Sequence, residues 1–157
     1  MNKVTASSLA THPFLRGLDP KCLAALASAA RTVVFPARHR IMEAGGNASR
    51  FWLIQSGSVA VDMSVPGNGR VVIESLGIGE VLGWSWLIPP QEWAFGATTI
   101  SPVRAFEFDA AAVHALCAAD PELGYELTRR MLRVLAHRLR TTRIRLATMC
   151  SAPPERG

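Results

Sequence analysis

No stretch of this 157-residue chain strings together the roughly 18 apolar residues that a membrane-spanning helix needs. The opening residues, Met-Asn-Lys-Val-Thr-Ala-Ser-Ser, lack the apolar core of a secretory signal, so none is expected there. Cysteine is scarce. Cys22, Cys117 and Cys150 are odd in number, scattered and never spaced as CxxC, which argues against thiolate metal binding and fits a reducing cytoplasm. The first two read as small apolar packing residues. Catalytic patterns are equally thin: no P-loop, no Ser, His and Asp in triad order and no paired-carboxylate pocket, so an enzyme is not expected. His12 precedes a proline in a turn with no partner nearby and reads as structural. His39-Arg-Ile-Met-Glu43 lacks the paired histidine and the later third ligand of a jelly-roll metal site, and His114 and His137 fall on helices. No metal is expected.

What is present reads as one compact domain with appended helices. Hydrophobic residues make up 49% and charged residues 18%, the balance of a globular protein with a core. The net charge of +5 is concentrated: residues 121–150 hold seven arginines against Glu122 and Glu126, and the remainder is near neutral. That describes a basic C-terminal helix, not a basic protein.

Taken in order, Ser8–Leu18 reads as a short helix running into a turn at His12-Pro13-Phe14. Asp19 caps a second helix with Pro20 in its first turn and Leu23, Leu26 and Ala30 at helical spacing. From Arg31 the period changes to two. Strands are expected at 32–35, 41–44, 51–54, 59–63, 71–76, 97–100 (with a strand-like lead-in from Trp93 to Thr98) and 103–108, with tight hairpins at Gln55-Ser-Gly-Ser58 and Pro66-Gly-Asn-Gly69. About eight short strands between glycine and proline turns argue a closed antiparallel barrel or jelly roll. Asp109 caps a helix over 110–118, and Asp120-Pro121 starts a long one to about Met149. Its apolar seam runs Leu123, Leu127, Met131, Leu135 (or Val134), Leu139, Thr142, Leu146 and Met149, with Leu132, Ala136 and Ile144 on a neighbouring stripe. A second stripe of this kind points to a partner helix, hence a two-fold homodimer, although packing on the barrel alone would also use the seam. The organisation is then a helical segment over 1–30, a barrel over 31–108, C-terminal helices over 109–149 and a disordered tail over 150–157.

The chemistry-bearing stretch is Leu76-Gly-Ile-Gly79-Glu80-Val81-Leu82-Gly83-Trp84-Ser-Trp86, followed by Trp93-Ala94. Glycines allow close backbone approach to a ligand, amides freed by a short helix over 83–87 could cradle an anion, and a buried carboxylate at Glu80 would suit a pair of ligand hydroxyls. A plain hairpin corner uses the same residues.

Two short helices, an eight-stranded jelly roll and a long C-terminal helix, with Glu43-Ala-Gly45-Gly46, Phe51-Trp-Leu-Ile-Gln-Ser-Gly57 and Gly79-Glu80-Val81-Leu82-Gly83, resemble the cyclic-nucleotide-binding domains of the catabolite-activator type. The resemblance covers about residues 12–147. It implies barrel turns at Gly45, Gly57 and Gly79, a ribose-binding role for Glu80, a phosphate cradle around Leu82 and Gly83, and cAMP or cGMP as ligand. The family's phosphate-binding arginine is missing. Trp93 stands in its place, followed by Ala94, and an indole offers one N–H and no charge. Loss of a forked, charged hydrogen bond weakens an anion by about one to two decades or more. The expected ligand-binding residues are therefore Gly79, Glu80, Val81, Leu82, Gly83, Trp84, Trp93 and Ala94. The reading is a stand-alone regulatory sensor for a small anionic ligand, signalling through its C-terminal helix to an effector protein. Two others stay open: a ligand-free adaptor dimer whose pocket is plugged by Trp84, Trp86 and Trp93, and a basic-helix binder of nucleic acid or anionic membrane. No helix-turn-helix follows the long helix, so sequence-specific DNA binding is not expected.

Overall fold

A computed structural model describes residues 3–151. The expected tail over 150–157 therefore lies, from residue 152 onward, outside the described residues. Eight strands form two antiparallel sheets. One has the order β1 (Ala30–Phe35), β8 (Val103–Asp109), β3 (Arg50–Ser56), β6 (Val81–Leu82). The other runs β2 (Arg40–Met42), β7 (Gly96–Thr99), β4 (Val59–Val65), β5 (Gly69–Leu76). This is the expected jelly roll, mainly β with flanking helices: α1 (Ala6–Ala10), α2 (Pro20–Ser28), α3 (Ala110–Ala119) and α4 (Pro121–Cys150).

Local chemistry sets the boundaries. Thr5 and Ser8 form a reciprocal capping box on α1, so that helix begins two residues before the expected start. Asp19, Asp109 and Asp120 each accept a backbone N–H at the start of α2, α3 and α4, with Pro20 and Pro121 at the first helical positions. The Gln55–Ser58 and Asn68 hairpins join β3 to β4 and β4 to β5, as expected. Gly57 can only be glycine: its φ is +87° and an added Cβ would lie 2.1 Å from the Pro102 carbonyl oxygen. The run Phe51 to Ile54 is buried at all four positions, so both faces of β3 are covered. Phe51 stacks on Phe108 at 4.8 Å and on Trp86 at 4.4 Å. Glu107, buried in the same sheet, accepts hydrogen bonds from Trp52 Nε1 (2.9 Å) and Arg31 Nε (2.7 Å).

Two expectations need correction. The strand expected at 97–100 is β7 at Gly96–Thr99, and its expected lead-in from Trp93 is not strand. Trp93 instead clasps the turn after β2: its N–H donates to Gly46 O (2.8 Å), and its carbonyl accepts from Gly45 N–H (2.8 Å). The single seam on α4 divides. Leu123, Leu127 and Met131 are buried, whereas Leu139 and Leu146 are 53% and 60% exposed. At ~3.6 residues per turn, a row stepping by four drifts about 40° per step, so Leu139 reaches only the rim of the barrel-facing side and Leu146 leaves it. The exposed apolar row that replaces it is Tyr125, Leu132, Leu139 and Leu146, one residue every seven.

Candidate functional site

A cavity of about 540 Å³ lies between the β2–β7–β4–β5 sheet and α4. That is within the range of small-molecule sites, ~300–1,000 Å³. Its floor is apolar, made by Met42, Val61, Met63, Ile73 and Leu76. One wall is Leu82, Gly83, Trp84 and Ser85, and facing it are Trp93, Ala94 and Phe95. The roof is α4 itself, through Leu135, Arg138, Leu139, Thr142 and Arg145. Spacing explains the roof. Positions 131, 135, 138, 142 and 145 recur by three and four and so share one helix face.

The sequence stretch divides across this geometry. Leu82, Gly83, Trp84, Trp93 and Ala94 come together on the cavity lining. Gly79, Glu80 and Val81 do not. They line a separate groove of about 400 Å³ beside Pro13, Phe14 and α4. The expectation of a buried carboxylate at Glu80 is corrected: Glu80 is exposed, and its Oε2 accepts the Gly77 N–H at 2.7 Å, three residues back in the same turn. The carboxylate that does line the cavity is Glu74, part-buried on β5. Gly79 has φ +83° and donates its N–H to Ile54 O (3.0 Å). The helix expected over 83–87 is a single 3-10 turn, Ser85–Leu87.

Tryptophan placement also resolves. Trp86 turns away from the cavity into the core, stacked on Phe51 and edge-on to His114 at 5.2 Å, whose Nε2 lies 2.8 Å from Trp86 O. Trp93 is 7% exposed, stacks on Trp52 at 5.8 Å and packs its six-membered ring edge atoms Cζ3 and Cη2 against Gly83. A Cβ at Gly83, where φ is +92°, would sit 2.8 Å from Trp93 Cζ3. Gly83 and Trp93 are thus fitted to each other. Trp84 is half-buried at the cavity wall.

The cavity's positive charge comes from the roof. Arg138 has a side chain 15% exposed, donates from Nη2 to the Val81 carbonyl and has Nε 3.7 Å from Glu74 Oε1. Burial pulls its guanidinium below the ordinary arginine value, with Glu74 and Glu80 pulling back. Arg145 Nη1 donates to Ile73 O at 2.7 Å. Sequence reasoning placed these arginines on a generic basic face and missed that two share the seam's barrel side. Counting threes and fours from Leu135 would have found them. Elsewhere, His39 stacks on Phe35 at 5.0 Å, and His12 is buried with Nδ1 accepting from Phe14 N–H and Nε2 donating to Ile54 O.

Comparison with known proteins places this geometry. The family described as "Cyclic nucleotide-binding domain" matches residues 32–120. The "CRP-like cAMP-activated global transcriptional regulator" of Mycobacterium tuberculosis is 32% identical over 141 residues, which is 90% of this chain and 61% of that protein. The chain thus spans about three fifths of the curated relatives it matches. A cyclic nucleotide-binding domain from Methylobacillus flagellatus superposes with a TM-score of 0.78 at 21% identity, covering 87% of this chain and 77% of that one. The Thermus thermophilus Catabolite Activator Protein gives 0.69 at 22%, covering 88% and 63%. At these identities the solved structures speak for the fold.

Proposed function

The chain belongs to the cyclic nucleotide-binding domain family, and we propose that it works as a regulatory module whose 540 Å³ cavity takes a small anionic ligand, cAMP or cGMP, and reports occupancy through α4. The observation that carries this is the roof: Leu135, Arg138, Leu139 and Thr142 of α4 close the same cavity that Gly83, Trp84 and Trp93 line from below. A ligand seated there touches barrel and helix together. Its affinity then depends on where the helix sits, which is the requirement for shifting a conformational population. Arg138 and Arg145 supply donors for an anion at the roof, and Glu74 is an acceptor for ligand hydroxyls.

The exposed row of Tyr125, Leu132, Leu139 and Leu146 has the seven-residue repeat of a two-stranded coiled coil, with Thr128, Leu135, Thr142 and Met149 three positions on. We assign it to a homodimer, which would carry the signal to an effector protein. The module's own role is binding, without catalysis. An adaptor that binds no nucleotide is the competing reading, favoured by Trp93 lying where the resemblance implies an arginine and by the apolar cavity floor.

The test is calorimetric and thermal-shift titration of the wild type and of Trp93→Arg with cAMP and cGMP. Saturable stabilisation of the wild type supports the sensor reading. Binding by Trp93→Arg alone would mean a pocket that has changed ligand. Absence of binding in both, with Trp93→Arg still folded by circular dichroism, would remove cyclic nucleotides and leave the adaptor.

A further inference from the structure

We propose that the groove between the His12–Phe14 turn, the loop entering β6 and the middle of α4 is a second anion site, suited to a small ligand carrying phosphate groups. The groove measures about 400 Å³ and is distinct from the barrel cavity. Its α4 wall carries Arg130, Arg133, His137 and Arg138. Arg130, Arg133 and His137, separated by three and four, lie on one face of the helix, and Arg138 borders it about 100° further round. Among the described residues Glu80 is the one carboxylate on the groove lining, with one oxygen held by the Gly77 N–H, while Glu126 and Glu74 lie 3.7 Å from Arg130 Nε and Arg138 Nε at its margins and leave Arg133 without an acidic neighbour at the groove.

The arginines differ in how far they are engaged. Arg130 is clamped by Nη1 to Phe14 O (2.9 Å) and Arg16 O (3.0 Å), which fixes its guanidinium at the groove wall. Its Nε is buried without a hydrogen bond, the nearest acid being Glu126 Oε2 at 3.7 Å. Its Nη1 bonds to the Phe14 and Arg16 carbonyls hold the guanidinium in one orientation, so its charge is fixed at the groove wall. Arg133 and His137 are exposed and project from adjacent turns into the same groove. Planar guanidinium forks match the oxygen pairs of a phosphate, and several on one wall favour a multivalent phosphate over a lone carboxylate.

Arg138 lines both the groove and the cavity. An anion in the groove would compete with Glu74 and the Val81 carbonyl for that guanidinium, so the two sites would be coupled, and coupling between binding sites is reciprocal. The coupling rests on the cavity reading; groove binding does not.

The experiment is titration with inorganic pyrophosphate at fixed ionic strength, followed by thermal shift and calorimetry. Wild type is compared with Arg133→Gln/His137→Gln and with Arg70→Gln, a surface arginine of β5 remote from the groove. Both groove side chains are exposed, so the double variant is expected to fold as the wild type does. The expected result is saturable stabilisation of the wild type and of Arg70→Gln, with affinity at least about tenfold weaker in the double variant. Stabilisation matched by sodium chloride at equal ionic strength, no saturable shift, or equal affinity in the double variant would each overturn the site. Pyrophosphate binding that persists when no cyclic nucleotide binds would count against the cavity reading and leave the groove standing.

Discussion

Replacing Gly83 by alanine probes the contact that shapes the cavity wall. Two costs are readable. Gly83 has φ +92°, a backbone region where an L-residue loses about 1–2 kcal/mol. The new Cβ would also lie 2.8 Å from Trp93 Cζ3 and 2.9 Å from Cη2, while its contact with Phe51 Cβ at 3.6 Å is ordinary. Trp93 cannot retreat freely, since it stacks on Trp52 and its backbone is clasped to Gly45 and Gly46. Overpacking of this kind costs about 1–3 kcal/mol. Gly83→Ala should therefore lose about 2–5 kcal/mol, a fall in Tm of roughly 4–20 °C for a chain this size. The assay is urea and thermal unfolding followed by far-ultraviolet circular dichroism, which does not depend on the indole. Repeating the substitution in a Trp93→Ala background isolates the clash: there Gly83→Ala should cost only the backbone part, giving a coupling of about 1–3 kcal/mol. Equal cost in both backgrounds would refute the fitted contact, and with it the view that Trp93 shapes this wall.

Further outcomes concern stability with pH and assembly. His12 is held neutral, because Nδ1 accepts the Phe14 N–H while burial lowers its pKa from the ordinary 6.5, so the unfolded chain takes up a proton that the folded one refuses. Its contribution is complete above about pH 6.5 and is lost as pH falls from there toward the lowered folded value, with a slope of at most ~1.4 kcal/mol per pH unit; His12→Gln should flatten that part of a Tm–pH curve, and an unchanged curve would exclude His12 as its source. Under the proposed homodimer, Leu132→Glu/Leu146→Glu places charge on the seven-residue row and should turn a dimeric wild type monomeric in light scattering; a monomeric wild type, or a variant as dimeric as the wild type, would refute that row as the interface.

Most of the fold is written in short-range chemistry. Asp-Pro pairs at 19–20 and 120–121 fix two helix starts because a capping carboxylate and a preset φ act within one turn. The hairpins at Gly57 and Pro66–Gly69 are legible because only a few residue types tolerate their backbone. The long-range choices are less so. Residues 93–95 alternate like the start of a strand, yet the hydrogen-bond partners of Trp93 lie in the turn at 45–46, which no local period announces. Glu80 looked like a ligand carboxylate because of its neighbours Gly79 and Gly83. Folding gave it a nearer partner in its own turn, the Gly77 N–H, and left it exposed. His12 was legible as structural from its place before a proline, but its clamp on Ile54, 42 residues away, was not.

The division between wall and roof follows from the same competition between local and distant partners. A barrel wall that carries Trp93 offers an anion no charge, whereas α4 brings Arg138 and Arg145 to the cavity because their spacing from Met131 and Leu135 keeps them on the packed face. Each already has a backbone acceptor, Val81 O for Arg138 and Ile73 O for Arg145, and these bonds tie α4 to β6 and β5. An anion drawn to either guanidinium would exchange with those carbonyls, so binding and helix attachment would draw on the same donors. Under the cavity reading the helix is then a ligand-binding element as well as the output, and Arg138→Met should weaken both anion binding and the attachment of α4. Loss of binding with α4 protected from amide exchange as in the wild type would separate the two roles and show that the helix is held by its apolar contacts, Leu127 and Met131 foremost.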